Sequence, residues 1–243
     1  MTVVVGPDGE ENGTTAVIAR LLYHRRTEVD VGVVFCPRPQ AQHLYQRFIP
    51  STHVHTLFSF SALHTMYEAQ EQIHRWAPCD KHRHLAIVLD GIGDGIKDKS
   101  VHAIIANGRL LSTSLTLGVP GNHKLPPAYR GNVDMWVFAS CLGNSDTALG
   151  KAYNEVLHAG FPCWEDCRSA FDALGSNEYL VFHAKRHQAR RLAIFKLSLD
   201  APMPPFRIGR EWVWHTHDKH VTSYDALAHK PSSTHCERQT SAS

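Results

Sequence analysis

Short apolar runs alternate with longer amphipathic stretches along most of the chain. Val3–Val5 and Val31–Cys36 are near-continuous apolar runs, the second ended by Pro37. Runs of that kind suit strands buried on both faces of a parallel sheet. Leu85–Asp90 is the clearest strand, apolar throughout with one carboxylate at its C-terminal end. Ser114–Val119 and Met135–Ala139 read as further strands, Val54–Phe58 as a short edge strand, and Tyr179–His183 with Leu192–Leu197 as a hairpin. Helical periodicity predicts helices over Thr15–His24, Gln40–Phe48, Ala62–Trp76, Lys99–Leu111, Asp146–Leu157 and Trp164–Leu174. This alternation argues for an α/β three-layer sandwich around a mostly parallel sheet, closed by a C-terminal antiparallel hairpin. From His215 the chain turns polar, which predicts a domain over residues 1–214 and a poorly ordered tail over 215–243.

Composition narrows this picture only a little. At 243 residues the chain suffices for one large α/β domain with a buried core, and 43% hydrophobic with 20% charged residues is ordinary for a globular protein. A formal net charge of +2 gives no general nucleic-acid footprint. The 18 histidines make the chain more basic below neutral pH. No apolar run approaches the roughly twenty residues of a membrane span, and no apolar leader precedes the first strand. With six widely spaced cysteines, the expected setting is reducing and intracellular.

The chemistry gathers at the N-terminus. The strand at Val3–Val5 runs into a loop containing Gly9, and Gly13-Thr14-Thr15 then opens a helix. A strand, a glycine-bearing loop and a helix in that order cradle phosphate on backbone N–H groups and a helix N-terminus, as in a P-loop. Thr14 stands where such a loop carries its lysine, and Asp8 where it carries a glycine. Glu10 and Glu11 add carboxylates to a loop that should receive an anion. An apolar strand ending in Asp90 then suits a Walker B aspartate, which with the Thr15 hydroxyl would hold Mg²⁺. Gly91 stands where a second carboxylate would polarise the attacking water, and Asp94 needs a changed loop to reach that place.

These residues resemble the poxvirus-type genome-packaging ATPases of large nucleocytoplasmic DNA viruses, within the FtsK/HerA superfamily of RecA/FtsK-like P-loop NTPases. The resemblance runs from Val3 to about Trp214 and rests on ordered blocks. They are VGVVFCPRPQAQHLYQRFIP, LAIVLDGI, NGRLLSTSLTL, LPPAYRGNVDMWVFA, NEYLVFHAK and PFRIGREWVW. It implies ATP and Mg²⁺ as cofactors where binding is retained. Gly9, Gly13, Thr14 and Thr15 would lie on the nucleotide, Thr15 and Asp90 on the metal, and Arg109 or Arg130 would act as an arginine finger on a neighbouring subunit. It also implies a homo-oligomer or a packaging-motor paralogue, viral DNA and a capsid vertex as partners, and a viral factory or virion as the location. The family's polar sensor falls near Val119-Pro120 and is lost.

Three catalytic positions thus depart together, which predicts weak or absent ATP hydrolysis. Losing the lysine removes a charge-assisted contact to the β- and γ-phosphates. The alternatives are an active DNA translocase in which Arg20 or Lys97 replaces the lysine, and a scaffold that binds no nucleotide. Restoring Thr14→Lys with Gly91→Asp is the sequence-level route back to activity.

Each feature also has a plainer reading. Pro7, Asp8 and Gly9 suit a ligand-free turn, Asp90 a cap, Arg130 a pair with Asp134, and Arg109 a solvated charge at a helix C-terminus. Cys163 and Cys167 have zinc-compatible spacing without a second Cys/His pair. Phe206, Trp212 and Trp214 suit the seal of a sheet edge, and Lys185, Arg186, Arg190 and Arg191 a basic hairpin tip.

Overall fold

The computed structural model describes residues 1–7, 13–76, 83–92, 99–121, 125–184 and 194–228. Its strands are β1 (Thr2–Val5), β2 (Val31–Phe35), β3 (Val54–His55), β4 (Leu85–Asp90), β5 (Thr113–Val119), β6 (Met135–Ala139), β7 (Glu178–His183) and β8 (Ile194–Ser198). They form one sheet in the order β3-β2-β4-β5-β1-β6-β7-β8. The first six run parallel, and β7 and β8 join antiparallel as the expected hairpin. All six residues of β4 are buried, so the sheet is covered on both faces there. That burial is why its sequence is apolar without alternation.

The helices are α1 (Thr14–His24), α2 (Pro39–Gln46), α3 (Phe60–Trp76), α4 (Lys99–Asn107), α5 (Pro127–Arg130), α6 (Asp146–Glu155), α7 (Trp164–Asp172) and α8 (Glu211–Ala228). Val17, Ile18 and Leu22 form the buried stripe of α1, which packs on β1 and β5. The chain leaves β1 toward β2 on one side of the sheet and returns to β6 on the other. The C-terminal end of β1 therefore lies at a topological switch point, where open α/β sheets hold their ligands.

Two expectations change. The edge strand β3 stops at His55, because the chain turns to pack Phe58 against Phe35 and Phe60 at ring-centroid distances of 5.5 and 4.8 Å. Of the segment expected as a poorly ordered tail, His215 to Ala228 continues α8, and residues 229–243 lie outside the described residues. The approach to this helix and its first turns are anchored: Ile208 and Val213 are buried, Arg210 pairs with Asp30, and His217 Nε2 accepts from the Ser51 amide at 3.1 Å. Polar composition hid this docking because only a few residues carry it. Of the three aromatics, Phe206 stacks on Phe48 at 4.5 Å and Trp214 Nε1 donates to the Ile208 carbonyl, whereas Trp212 is half-exposed under Arg83. The basic residues Lys185, Arg186, Arg190 and Arg191 lie outside the described residues. Among the described residues, no helix is long and apolar enough to cross a membrane.

Candidate functional site

Asp90 ends β4 opposite Gly118 of β5, the strand that lies between β4 and β1. Its side chain is fully buried. The Thr15 hydroxyl donates to Oδ2 at 2.7 Å, and the Thr14 hydroxyl to Oδ1 at a longer 3.4 Å. Asp90 thus lies directly against the start of α1, and both threonines are buried. Gly13 caps α1 in an extended conformation, and the Thr14 amide donates to the Pro7 carbonyl at 3.0 Å, closing the loop at its base. Gly9 lies outside the described residues, as do Asp94 and Lys97.

Three further side chains reach the same carboxylate. Arg38 Nη2 lies 2.7 Å from Asp90 Oδ1 and donates to Thr15 Oγ1 at 3.0 Å. The Tyr45 hydroxyl donates to Oδ2 at 2.9 Å, and the Cys36 thiol approaches the same oxygen at 3.9 Å. Burial first, and then the Asp90 charge, push both the Cys36 thiol and the Tyr45 phenol upward, the latter well above its ordinary value. Both stay protonated and serve Asp90 as donors, leaving Arg38 as the charge that balances it.

Sequence reasoning missed Arg38, Tyr45 and Cys36, although all three lie in the VGVVFCPRPQAQHLYQ block. The available signal was position: they follow the C-terminal end of β2, which neighbours β4 and opens on the same crevice.

The remaining candidates sit elsewhere. Arg109 pairs with Asp134, which also binds the Met1 amino group at 2.7 Å. That cluster lies at the N-terminal ends of β1 and β6, whereas Asp90 lies at the C-terminal end of β4. Arg130 pairs with Glu155 at 3.0 Å rather than with Asp134, and its Nε donates to the Leu125 carbonyl. Neither arginine joins the Asp90 cluster within this chain. Arg20 donates to the carbonyls of Leu199 and Ala201, so it does not stand in for the missing lysine. The Cys163 thiol caps α7 by accepting from the Asp166 amide, while Cys167 is buried with its thiol pushed up to about 11 by desolvation. Among the described residues, no group of three or more His, Cys, Asp or Glu side chains could hold a metal.

Among solved structures, the chain matches the genome packaging NTPase B204 of Sulfolobus turreted icosahedral virus 2 in complex with AMPPCP. The TM-score is 0.58 at 10% identity, over 84% of this chain and 98% of that one. This chain has the fold of a viral genome-packaging NTPase. The DNA-packaging ATPase B204 of Sulfolobus turreted icosahedral virus also carries the packaging-NTPase fold, with a TM-score of 0.53 at 10% identity over 84% and 97% of the two chains. EssC (ATPases 2 and 3) of Geobacillus thermodenitrificans aligns with a TM-score of 0.53 at 10% identity, over 95% of this chain and 44% of that one. No family model and no curated protein matches the sequence.

The Thr15 hydroxyl and the Asp90 carboxylate are oxygen donors of the type Mg²⁺ prefers. Here Arg38 Nη2 lies within bonding distance of both residues. A dication at that place would meet a guanidinium at contact distance, so the residues as arranged do not fit Mg²⁺.

Proposed function

We propose that this protein is an ATPase-like component of viral DNA packaging that binds nucleotide weakly and hydrolyses it slowly or not at all. The observation that carries the reading is the Thr15–Asp90 hydrogen bond of 2.7 Å at the switch point of this fold, with Thr14 in the place of the lysine. The bond supports descent from a phosphate-binding loop, because a turn with no ligand history needs no buried carboxylate behind it. Threonine in the lysine's place supports loss of turnover, since it offers the β- and γ-phosphates no charge. On this reading the partners are further copies of the chain or an intact motor subunit, viral DNA and the capsid vertex, inside infected cells. Arg109, half-exposed at the N-terminal end of the sheet's strands, is then the arginine better placed to meet a neighbouring subunit.

Equilibrium binding of a fluorescent ATP analogue, followed by phosphate release from a clean preparation, tests this. Weak saturable binding without turnover supports the reading. Turnover abolished by Asp90→Ala would make the protein an active ATPase instead. No saturation would make it a nucleotide-free scaffold.

A further inference from the structure

Asp90 and Thr15 offer a divalent ion the right atoms, yet both already share one nitrogen. Arg38 Nη2 is 2.7 Å from Asp90 Oδ1 and 3.0 Å from Thr15 Oγ1, so a cation already occupies the side of Thr15 and Asp90 that a metal bridging them would share. Thr15 spends its own proton on Asp90 Oδ2, where Tyr45 also donates. Counting Thr14 as well, the carboxylate takes up four donors besides the distant Cys36 thiol, about the capacity of its lone pairs. Among the described residues, Arg38 is the one cation in contact with Asp90, and the two charges cancel.

The surroundings hold this arrangement in place. Gly118 leaves room for Asp90, since a β-carbon there would stand 2.5 Å from Oδ1. Pro37 and Pro39 flank Arg38, fixing the backbone that delivers its side chain.

We infer that Arg38 is the resident cation of this site, and that any polyphosphate bound beside Thr15 is held without a divalent metal. The same group therefore balances the buried carboxylate and keeps a positive charge beside the Thr15 hydroxyl. The inference rests on reading Thr15 and Asp90 as a former nucleotide site, but its first test needs no nucleotide.

Mn²⁺, titrated alone and followed by electron paramagnetic resonance, probes the Thr15–Asp90 pair directly. The wild-type protein should show no Mn²⁺ binding that Asp90→Asn removes; binding to histidines elsewhere survives that substitution and is subtracted. Arg38→Met should open the site and bind Mn²⁺ about tenfold more tightly or better, Arg38→Lys should stay closed, and Arg38→Met with Asp90→Asn should lose the gain. Wild-type binding that depends on Asp90 would overturn the inference, as would an Arg38→Met protein with native near-ultraviolet dichroism and no gain. Should Arg38→Met not fold, the wild-type and Arg38→Lys titrations still decide. In a second arm, a fluorescent ATP analogue should bind with the same affinity, within about twofold, in Mg²⁺ and in EDTA. Binding that requires Mg²⁺ counts against the inference, whereas an analogue that never binds counts against the proposed function and leaves the Mn²⁺ result standing.

Discussion

Gly91 turns with φ of +76°, and a β-carbon on it would stand 3.3 Å from Arg38 Nε. The residue where a catalytic acid was expected is therefore held as glycine by backbone conformation and by its neighbour. Left-handed backbone costs a residue with a β-carbon roughly 1–2 kcal/mol. Gly91→Ala should lower unfolding free energy by about that amount, read from urea denaturation at an unchanged m-value. Gly91→Asp with Thr14→Lys should yield no appreciable ATP turnover while Arg38 remains, measured as phosphate release.

Gly118 is under a tighter constraint from the opposite side. Gly118→Ala would set a methyl 2.5 Å from Asp90 Oδ1, with Ile18 Cδ1 at 3.0 Å. Overpacking in a filled core costs about 1–3 kcal/mol, and the upper end applies here because the displaced atom is a buried, bonded carboxylate. Thermal unfolding should show this loss, and near-ultraviolet dichroism should show changed packing around Tyr45.

Arg38→Met should destabilise by about 3 kcal/mol or more, because it leaves the buried Asp90 carboxylate without its charge partner. Adding Asp90→Asn should recover part of that loss, since a neutral amide needs no counter-charge. A double-mutant cycle by chemical denaturation reads the coupling. Additive losses would mean that the ion pair contributes nothing.

Stability should fall on mild acidification. Burial holds the imidazoles of His53, His55 and His84 below their usual value, with Arg25 adding to the effect at His84. The unfolded chain takes up these protons near pH 6.5, about the ordinary histidine value, and the folded one only lower. The contribution is thus full above that pH and is lost as pH falls toward the folded values. The melting temperature should drop by some degrees between neutral and mildly acidic buffer, and His53→Gln with His55→Gln should flatten the drop.

The sequence made the strands legible wherever burial on both faces forces an unbroken apolar run. Leu85–Asp90 and Met135–Ala139 were read with the bounds that the structure gives them. Thr15 and Asp90 were legible as a pair because the loop and the carboxylate strand each carry a local signature. Arg38 was not, because its contact with Asp90 depends on β2 lying next to β4, and no local pattern spans the intervening residues. Tyr45 was hidden for another reason: a tyrosine on an apolar helix face reads as core whether or not its hydroxyl finds a partner. In the same way, α8 was concealed because Ile208 and Val213 anchor a helix whose other residues look solvated.

One carboxylate gathers hydroxyls from the first turn of α1, a guanidinium and a thiol from the loop after β2, and a phenol from α2. The segments that move during ligand exchange are usually among the least stable in a protein. Here the corresponding segment is riveted to the middle of the sheet. The amides of the first turns of α1 should then exchange their hydrogens with solvent as slowly as those of β4, in one cooperative opening. The start of α1 has become part of the foundation of the sheet.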